Sequence, residues 1–226
     1  GMQLLLFWHA LGRPTGTAWR EAPTGQLYVC TSANRGGEPL AVDAAAAAEA
    51  LSGVADQIID HDRSILVRAD DPVLRQIEGR VRSLRRGRGQ TPEPIVLPHD
   101  IPSTLALGGH LKAAVCVTRG REAFLAQHVG DLDDPDTVRF HRETVRHLLT
   151  ILDVKPDRVA CDLHPDFTST RAAEAFGVPL VRVQHHHAHA AATASENGVA
   201  GAALALILDG YGYGTDGEAW GGEVLA

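Results

Sequence analysis

Residues 180–189 read Leu-Val-Arg-Val-Gln-His-His-His-Ala-His, and residues 203–217 read Ala-Leu-Ala-Leu-Ile-Leu-Asp-Gly-Tyr-Gly-Tyr-Gly-Thr-Asp-Gly. Each stretch begins with an apolar run that predicts a buried strand. The first run leads into a histidine-rich helix, on which histidines four residues apart share a face and can bind one metal ion. The second leads into a glycine-dense turn, which brings backbone N–H groups close to a phosphate. Together they predict a metal-assisted nucleotide or phosphate site.

The residues around these two stretches alternate between predicted strands and helices, which indicates an α/β domain. The most regular segment is a helix at residues 135–152, with Asp136 in its first turn and apolar side chains along one face. A second helix is predicted at 168–176, with Gly177 as its C-cap, and the histidine helix at 187–197. The predicted strands are 103–109, 113–118, 124–128, 158–163, 180–184 and 203–208.

Upstream of this region, four prolines between Pro92 and Pro102 exclude a helix or a central strand and separate two parts of the chain. We therefore predict domains at residues 1–95 and 103–226. In the first domain an alanine-rich helix is predicted at 41–52, with a continuation over 51–59. Its predicted strands are 26–31, 65–68 and 80–84.

Composition narrows the class of protein. The 226 residues carry a net charge of −7, which argues against a general nucleic-acid binder, because phosphate contacts require clustered cationic charge. No apolar run reaches the roughly 20 residues that a membrane span needs. Three widely spaced cysteines form no disulfide framework. We expect a cytoplasmic protein without membrane or nucleic-acid partners.

Six arginines gather between residues 75 and 88. They are Arg75, Arg80, Arg82, Arg85, Arg86 and Arg88. One interpretation is a solvated basic strand or hairpin. The other is a site for a small anion or a triphosphate, because guanidinium groups bind such groups with two hydrogen bonds. Glycines at 87 and 89 favour the second interpretation, since they permit close approach of the backbone.

Several blocks of the second region resemble HypF, the carbamoyltransferase family of [NiFe]-hydrogenase maturation, in its Kae1-like domain. These blocks are residues 105–112, 127–132, 161–171, 183–189 and 209–222. Blocks of the first region resemble the YrdC-like domain of the same family. They are residues 31–39, 61–65, 68–71 and 84–94. The implied fold is α/β: residues 1–95 as the C-terminal portion of a YrdC-like domain, and 103–226 as the N-terminal portion of a Kae1-like domain of the actin/Hsp70 ATPase type.

The resemblance also implies an activity. HypF proteins use carbamoyl phosphate and ATP to make a carbamoyl-adenylate, and they transfer the carbamoyl group to the C-terminal cysteine of HypE, the source of the cyanide ligands. The YrdC-like part resembles an adenylate-forming unit, and the Kae1-like part performs the transfer. Because both domains match only in part, we expect this chain to be inactive or weakly active by itself.

The metal ligands expected from the resemblance are His185 and His189, whose neutral imidazoles suit Zn²⁺ or Fe²⁺. Asp209 is the best third ligand in this chain, because a carboxylate at the end of a strand can face the helix. His186 and His187 are assigned to the surroundings of the ligands. The alternative is a polar helix start whose histidines are satisfied by backbone hydrogen bonds.

Catalytic roles are implied for four further residues. Lys112 follows a Gly-Gly turn where related folds bind a phosphate, and its ammonium group supplies a positive charge. His164, Asp166 and Arg171 either position the substrate or order the loop beside the metal. Both alternatives remain open for this group.

Nucleotide contacts are implied in both domains. The family uses the turn with Ser32 and Asn34 for ATP, although such a sequence also forms an ordinary Asx-type turn. The arginines that would supply counter-charge are Arg63, Arg68, Arg86 and Arg88. Asp70 and Asp71 are candidate ligands of a phosphate-bound Mg²⁺. The turn residues expected to wrap the phosphates are Gly210, Gly212, Gly214 and Asp216, with a tight hairpin as the alternative.

Two other functions remain. The chain could be a non-catalytic nucleotide- or metal-binding remnant or an assembly partner of the same system. It could also be an O-carbamoyltransferase of antibiotic biosynthesis, a family that shares both folds. That family carries its Kae1-like domain before the YrdC-like one, whereas the order here is reversed.

Overall fold

The computed structural model describes all residues from Gly1 to Ala226 and separates them into two compact units, Gly1–Ser32 and Ala33–Ala226. The smaller unit contains helix α1 (Met2–Ala10) and a single 3-10 turn at Ala18–Arg20. The predicted strand at residues 26–31 is wrong: this unit contains no strand with which it could pair, and Val29 is 91% exposed. An extended segment becomes a strand only when its backbone groups find a partner.

The larger unit begins with a short helix, α2 (Ala44–Ala50), predicted at 41–52. Its N-cap is Asp43, whose carboxylate accepts a hydrogen bond from the N–H of Ala46 at 2.8 Å. The predicted continuation over residues 51–59 is wrong, because the left-handed Gly53 (φ +76°) follows the helix end and Ile59 is exposed, without packing for a further turn.

A hairpin carries most of the clustered arginines. It consists of β1 (Val73–Ile77) and β2 (Arg80–Arg85), joined through Glu78 and Gly79, both with positive φ. The strand predicted at 80–84 is confirmed, whereas β1 was not predicted because its residues show no alternation. The strand predicted at 65–68 is wrong: it has no partner strand, and Leu66 is 91% exposed.

The main sheet has five strands and confirms the α/β class. Its members are β3 (Pro94–Ile101), β4 (Thr104–Ala106), β5 (Cys116–Leu125), β6 (Arg158–Asp162) and β7 (Leu180–Val183). Their order is β3-β5-β4-β6-β7, in which β4, β6 and β7 run parallel and the other pairs run antiparallel. The proline-rich β3 lies at an edge, where a missing N–H donor is tolerated. Strand β3 occupies the predicted interval between the two domains and pairs with β5 of the second one. The domain limits at 95 and 103 stay predictions.

One strand overlaps two predicted ones. Strand β5 includes residues 116–118 and 124–125 of the separate strands predicted at 113–118 and 124–128, together with the residues between them. The N–H of Ala126 donates to the carbonyl oxygen of Val115 at 2.7 Å, so the two ends of β5 lie side by side. Gly120 adopts φ +59° between these ends, where the chain turns back.

The core lies between this sheet and the helix α3 (Pro135–Leu152), whose predicted bounds are confirmed. Its N-cap Asp134 accepts hydrogen bonds from the N–H groups of Asp136 and Thr137, both at 2.9 Å. The apolar face of α3 packs on buried strand residues, each of which stabilises the fold by about 1.5–3 kcal/mol. The largest fully buried aliphatic residues are Leu105, Leu107, Val115, Val117 and Val159.

The remaining helices and strands follow β6 and β7. Helix α4 (Thr168–Glu174) is two residues shorter than predicted; its C-cap is Ala175, and Gly177 (φ +67°) lies beyond it. Helix α5 (His185–Glu196) follows β7 directly, and β8 (Ala205–Ile207) comes next. Two short antiparallel strand pairs complete the chain: the hairpin of β9 (Gly212–Tyr213) with β10 (Ala219–Trp220), and β8 with β11 (Glu223–Leu225). No helix combines the length and the apolar character that a membrane crossing requires.

Candidate metal centre

The site forms at the carboxyl edge of the parallel strands, where ligands of α/β sheets are usually bound. The ends of β6 and β7 are in register, with Asp162 opposite Val183. Helix α5 begins two residues earlier than predicted, because the Gln184 side chain accepts a hydrogen bond from the N–H of His187 at 2.9 Å and caps the helix. His185 is therefore the first helical residue and lies beside the end of β6.

Three predicted ligands meet in a small triangle. The Nε2 atoms of His185 and His189 are 3.3 Å apart, and Oδ2 of Asp209 is 3.2 Å from the first and 3.3 Å from the second. An ion about 2.1 Å from each atom of a tetrahedral set gives ligand–ligand distances of about 3.4 Å. The triangle therefore fits one face of such a set and leaves a fourth position for another ligand.

The electrostatics of the triangle suit a cation. Burial raises the pKa of the Asp209 carboxyl, but the N–H of Gly210 and the two nearby imidazoles hold it below its usual value. The pKa of His185 is raised, chiefly by its hydrogen bond to Asp162, with partial burial acting against it. Imidazole nitrogen and carboxylate oxygen are the donor types that Zn²⁺ and Fe²⁺ accept.

Asp162 also lies at this site, although the sequence pattern does not single it out. It is 8% exposed, and its Oδ2 lies 2.7 Å from Nδ1 of His185. Burial raises the pKa of this carboxyl, but hydrogen bonds from the His185 ring and the N–H of His164 hold it below its ordinary value. The available signal was an aspartate at the end of a predicted strand, next to the strand that leads into the histidine helix.

The catalytic candidates of the loop after β6 divide into two groups. The ring of His164 stacks on Phe167 with centroids 4.2 Å apart and lies 5.0 Å from the ring of Tyr213, so it faces the glycine hairpin. Asp166 and Arg171 instead pair with each other at 2.8 Å, and both are exposed. That pair supports loop ordering, and a role in catalysis stays a prediction for all three residues.

The glycine-dense turn forms the β9–β10 hairpin. A tight hairpin was the alternative to a phosphate-binding turn. Gly217 adopts φ +84° at its tip. A Cβ atom at Gly214 would lie 2.2 Å from Nε1 of Trp220, which also donates to the Asp216 carboxylate at 3.0 Å. The N–H of Gly210 donates to Asp209 at 2.7 Å. These glycines permit close packing within the protein, and their contact with phosphate stays a prediction.

Gly212 holds the hairpin against the histidine helix. A Cβ atom there would lie 2.7 Å from Nε2 of His186, a side chain with no exposed surface and no hydrogen bond to either ring nitrogen. The ring therefore fills the space that a larger residue at position 212 would need.

We expect Gly212→Ala to lower the free energy of unfolding by about 1–3 kcal/mol, because an added methyl group overpacks the buried ring of His186. Urea denaturation measures the change. Gly221→Ala is the matched control: its Cβ meets no atom within 4 Å, so its effect should stay within about 0.5 kcal/mol. Equal losses in the two variants would show that the close approach has no energetic consequence.

A second concave region brings together three residues predicted separately. A cavity of about 610 Å³ is lined by Asn34, Arg68 and Lys112. The Asn34 amide donates to the carbonyl of Glu38 at 2.7 Å and shapes its turn. Lys112 (φ +50°) is anchored by its N–H, which donates to Asp131 at 2.6 Å, and its side chain forms no ion pair.

Of the other predicted nucleotide and Mg²⁺ contacts, Asp70 also lines this cavity, whereas Arg63, Asp71, Arg86 and Arg88 do not. Arg86 pairs with Glu196 at 3.8 Å and Arg88 with Asp71 at 3.6 Å, while Arg63 forms no ion pair. Ser32 belongs to the smaller unit and Asp70 pairs with Arg85 at 3.2 Å. These residues stay predictions, and Asp70 and Asp71 each form an ion pair with an arginine.

Two parts of the chain match known protein families. Residues 99–196 match the HypF Kae1-like domain family, and residues 20–87 match the Sua5/YciO/YrdC family, described as telomere recombination. The carbamoyltransferase HypF of Rhizobium leguminosarum bv. viciae is 54% identical over 197 residues, which are 87% of this chain and 26% of that protein. The carbamoyltransferase HypF2 of Cupriavidus necator is 52% identical over 231 residues, 99% of this chain and 29% of that protein.

Two solved structures of HypF proteins are similar to most of this chain. A full-length HypF in its phosphate- and nucleotide-bound form superposes with a TM-score of 0.81 at 38% identity, over 86% of this chain and 31% of that one. The T. kodakarensis HypF gives a TM-score of 0.79 at 40% identity, over 86% and 26%. The chain thus spans between a quarter and a third of the length of these relatives.

Proposed function

This chain belongs to the HypF family of carbamoyltransferases, and from that membership we propose that it provides the metal-binding part of a site that transfers a carbamoyl group during [NiFe]-hydrogenase maturation. The complete reaction uses carbamoyl phosphate and ATP to form a carbamoyl-adenylate. The carbamoyl group then passes to the C-terminal cysteine thiol of HypE. The three free cysteines of the chain fit the reducing cytoplasm in which we place this reaction.

The observation that carries the proposal is the triangle of His185, His189 and Asp209. Their donor atoms lie within 3.3 Å of one another, at the edge of the sheet where a substrate can approach. Zn²⁺ or Fe²⁺ bound there supplies a Lewis acid that polarises a carbonyl or phosphoryl oxygen. His185 and Asp209 are partly buried, whereas His189 is exposed, so the triangle opens towards solvent on the side of His189.

The side chains around the triangle position the reactants. The Nδ1 atom of His164 accepts a hydrogen bond from the N–H of Asp166 at 3.2 Å, so the ring carries its proton on Nε2. That N–H group is a donor for a carbonyl or phosphate oxygen. The stacked Phe167 fixes the plane of the ring and thereby the direction of the donor.

The cavity of about 610 Å³ supports a nucleotide contact in the same chain. Its size suits a small-molecule ligand of nucleotide dimensions. Lys112 offers an unpaired ammonium group, and Arg68 offers a guanidinium group that also pairs with Glu143. We propose that this cavity receives ATP phosphates or the adenylate, with Asn34 contributing hydrogen bonds.

The order of the matched families favours this proposal over an O-carbamoyltransferase of antibiotic biosynthesis. The YrdC-type match precedes the Kae1-like match in this chain, at residues 20–87 and 99–196. The antibiotic enzymes carry the two domains in the opposite order. Domain order does not distinguish the proposal from a non-catalytic role in the same system. A measurement of activity makes that distinction.

The test is a transplant into the Cupriavidus necator HypF2, which aligns with 99% of this chain. The aligned segment of that relative is replaced by this chain. Both carbamoyl-phosphate-dependent ATP–pyrophosphate exchange and carbamoyl transfer to HypE are then measured. We expect both activities, because both matched regions would lie in their family context. A folded, metal-containing chimera that does not transfer the carbamoyl group to HypE would support the non-catalytic alternative and reject the proposal.

A further inference from the structure

Asp162 is a buried carboxylate that holds the metal-site histidine on one side and the neighbouring loop on the other. We propose that Asp162 is a positioning residue: it fixes the orientation and tautomer of His185, and so sets the affinity of the triangle for its metal ion. This inference rests on the proposed metal centre. It concerns a residue outside the set of ligands.

The first step is the proton on His185. An ionised carboxylate only accepts hydrogen bonds, so the 2.7 Å contact requires that Nδ1 of His185 carries the hydrogen and donates it to Oδ2 of Asp162. The Nε2 atom of the neutral ring then presents its lone pair. That atom is the one directed at Oδ2 of Asp209 and Nε2 of His189, at 3.2 and 3.3 Å.

The second step is the rigidity of Asp162 itself. Its Oδ1 accepts a hydrogen bond from the N–H of His164 at 2.8 Å. Its backbone carbonyl accepts one from the hydroxyl of Thr170, a residue of α4 with no exposed surface, at 3.3 Å. Position 162 is also paired with position 183 in the parallel ladder of β6 and β7. The carboxylate is thus fixed by three elements of the fold and holds the imidazole ring in one orientation.

The third step is energetic. A histidine ring free to rotate about its side-chain bonds must lose that freedom when it binds an ion, whereas a ring already held by a carboxylate has lost it on folding. The carboxylate also raises the basicity of the ligand nitrogen. Loss of such a partner typically weakens metal binding by about 10- to 100-fold.

A matched carboxylate lies at the end of α4. Glu174 is exposed and pairs with Arg182 at 2.8 Å. Glu174→Gln therefore removes one negative charge without changing His185 or the loop after β6. This variant separates a general loss of charge from the loss of the specific contact.

The experiment measures the affinity of the full chain for Zn²⁺ by competition with a chromophoric chelator, together with the visible spectrum of the Co²⁺ form. We expect Asp162→Asn to weaken Zn²⁺ binding by about 10- to 100-fold at unchanged stoichiometry. The Co²⁺ spectrum should change because the His185 ring reorients. Glu174→Gln should leave both the affinity and the spectrum at their wild-type values.

The possible outcomes are distinct. If Asp162→Asn binds Zn²⁺ as tightly as Glu174→Gln, the positioning role is overturned, whatever its effect on the melting temperature. If Asp162→Asn fails to fold by circular dichroism, Asp162→Glu decides. That variant keeps the charge but displaces the acceptor, so wild-type affinity in it overturns the proposal and weakened affinity supports it. If the wild-type chain binds no Zn²⁺, Fe²⁺ or Co²⁺, the metal centre fails first.

Discussion

His189→Ala is expected to abolish stoichiometric Zn²⁺ binding. The imidazole of His189 supplies one of three protein donors, and the remaining pair, His185 and Asp209, leaves half of a tetrahedral set without protein ligands. Because loss of an outer partner already costs about 10- to 100-fold in affinity, loss of a direct ligand should cost about 100-fold or more. Elemental analysis after dialysis, and chelator competition, measure the change.

His187→Ala is the matched control for this variant. His187 lies on the same first turn of α5 and is exposed, but it belongs to no group of candidate ligands. We expect it to retain the metal at the wild-type ratio. Equal metal content in the wild type and both variants would remove the triangle as a metal site.

The parts of the fold predicted from sequence are those with local signals. Helix α3 has an N-cap at Asp134, a proline in its first turn and a continuous apolar face, so its predicted limits are confirmed. The strands at residues 26–31 and 65–68 have β-rich composition, but composition carries no information about a partner strand. The structure gives these residues none, and a strand exists only through pairing.

The same distinction applies to the candidate site. The spacing of His185 and His189 follows from the helix repeat alone, and the two rings indeed meet. Asp209 required the assumption that a strand end faces the helix, and its carboxylate lies where that assumption places it. Asp162 was missed because its contact with His185 depends on the parallel pairing of β6 and β7, which no local pattern encodes.

In the Cupriavidus necator HypF2 transplant, His189→Ala should separate the two halves of the reaction. We expect carbamoyl-phosphate-dependent ATP–pyrophosphate exchange to remain, because we assign adenylate formation to the YrdC-like part, whereas His185 and His189 lie in the region matched to the Kae1-like domain. Transfer of the carbamoyl group to the HypE thiol should fall by about 1,000-fold, which corresponds to about 4 kcal/mol of lost stabilisation of the transition state. Exchange of labelled pyrophosphate and mass spectrometry of HypE measure the two steps.

Lys112→Ala in the same chimera provides the comparison, because its side chain lines the cavity proposed for ATP phosphates or the adenylate. If that cavity also receives the adenylate on its way to the thiol, Lys112→Ala lowers transfer while metal content stays at the wild-type level.

Parallel loss of exchange and transfer in His189→Ala would contradict the division of the reaction between the two parts, since the triangle would then be needed for adenylate formation as well. If His189→Ala contains no metal but transfers the carbamoyl group at the wild-type rate, the ion is not part of the transfer step, because a step that needs the metal would be lost with it.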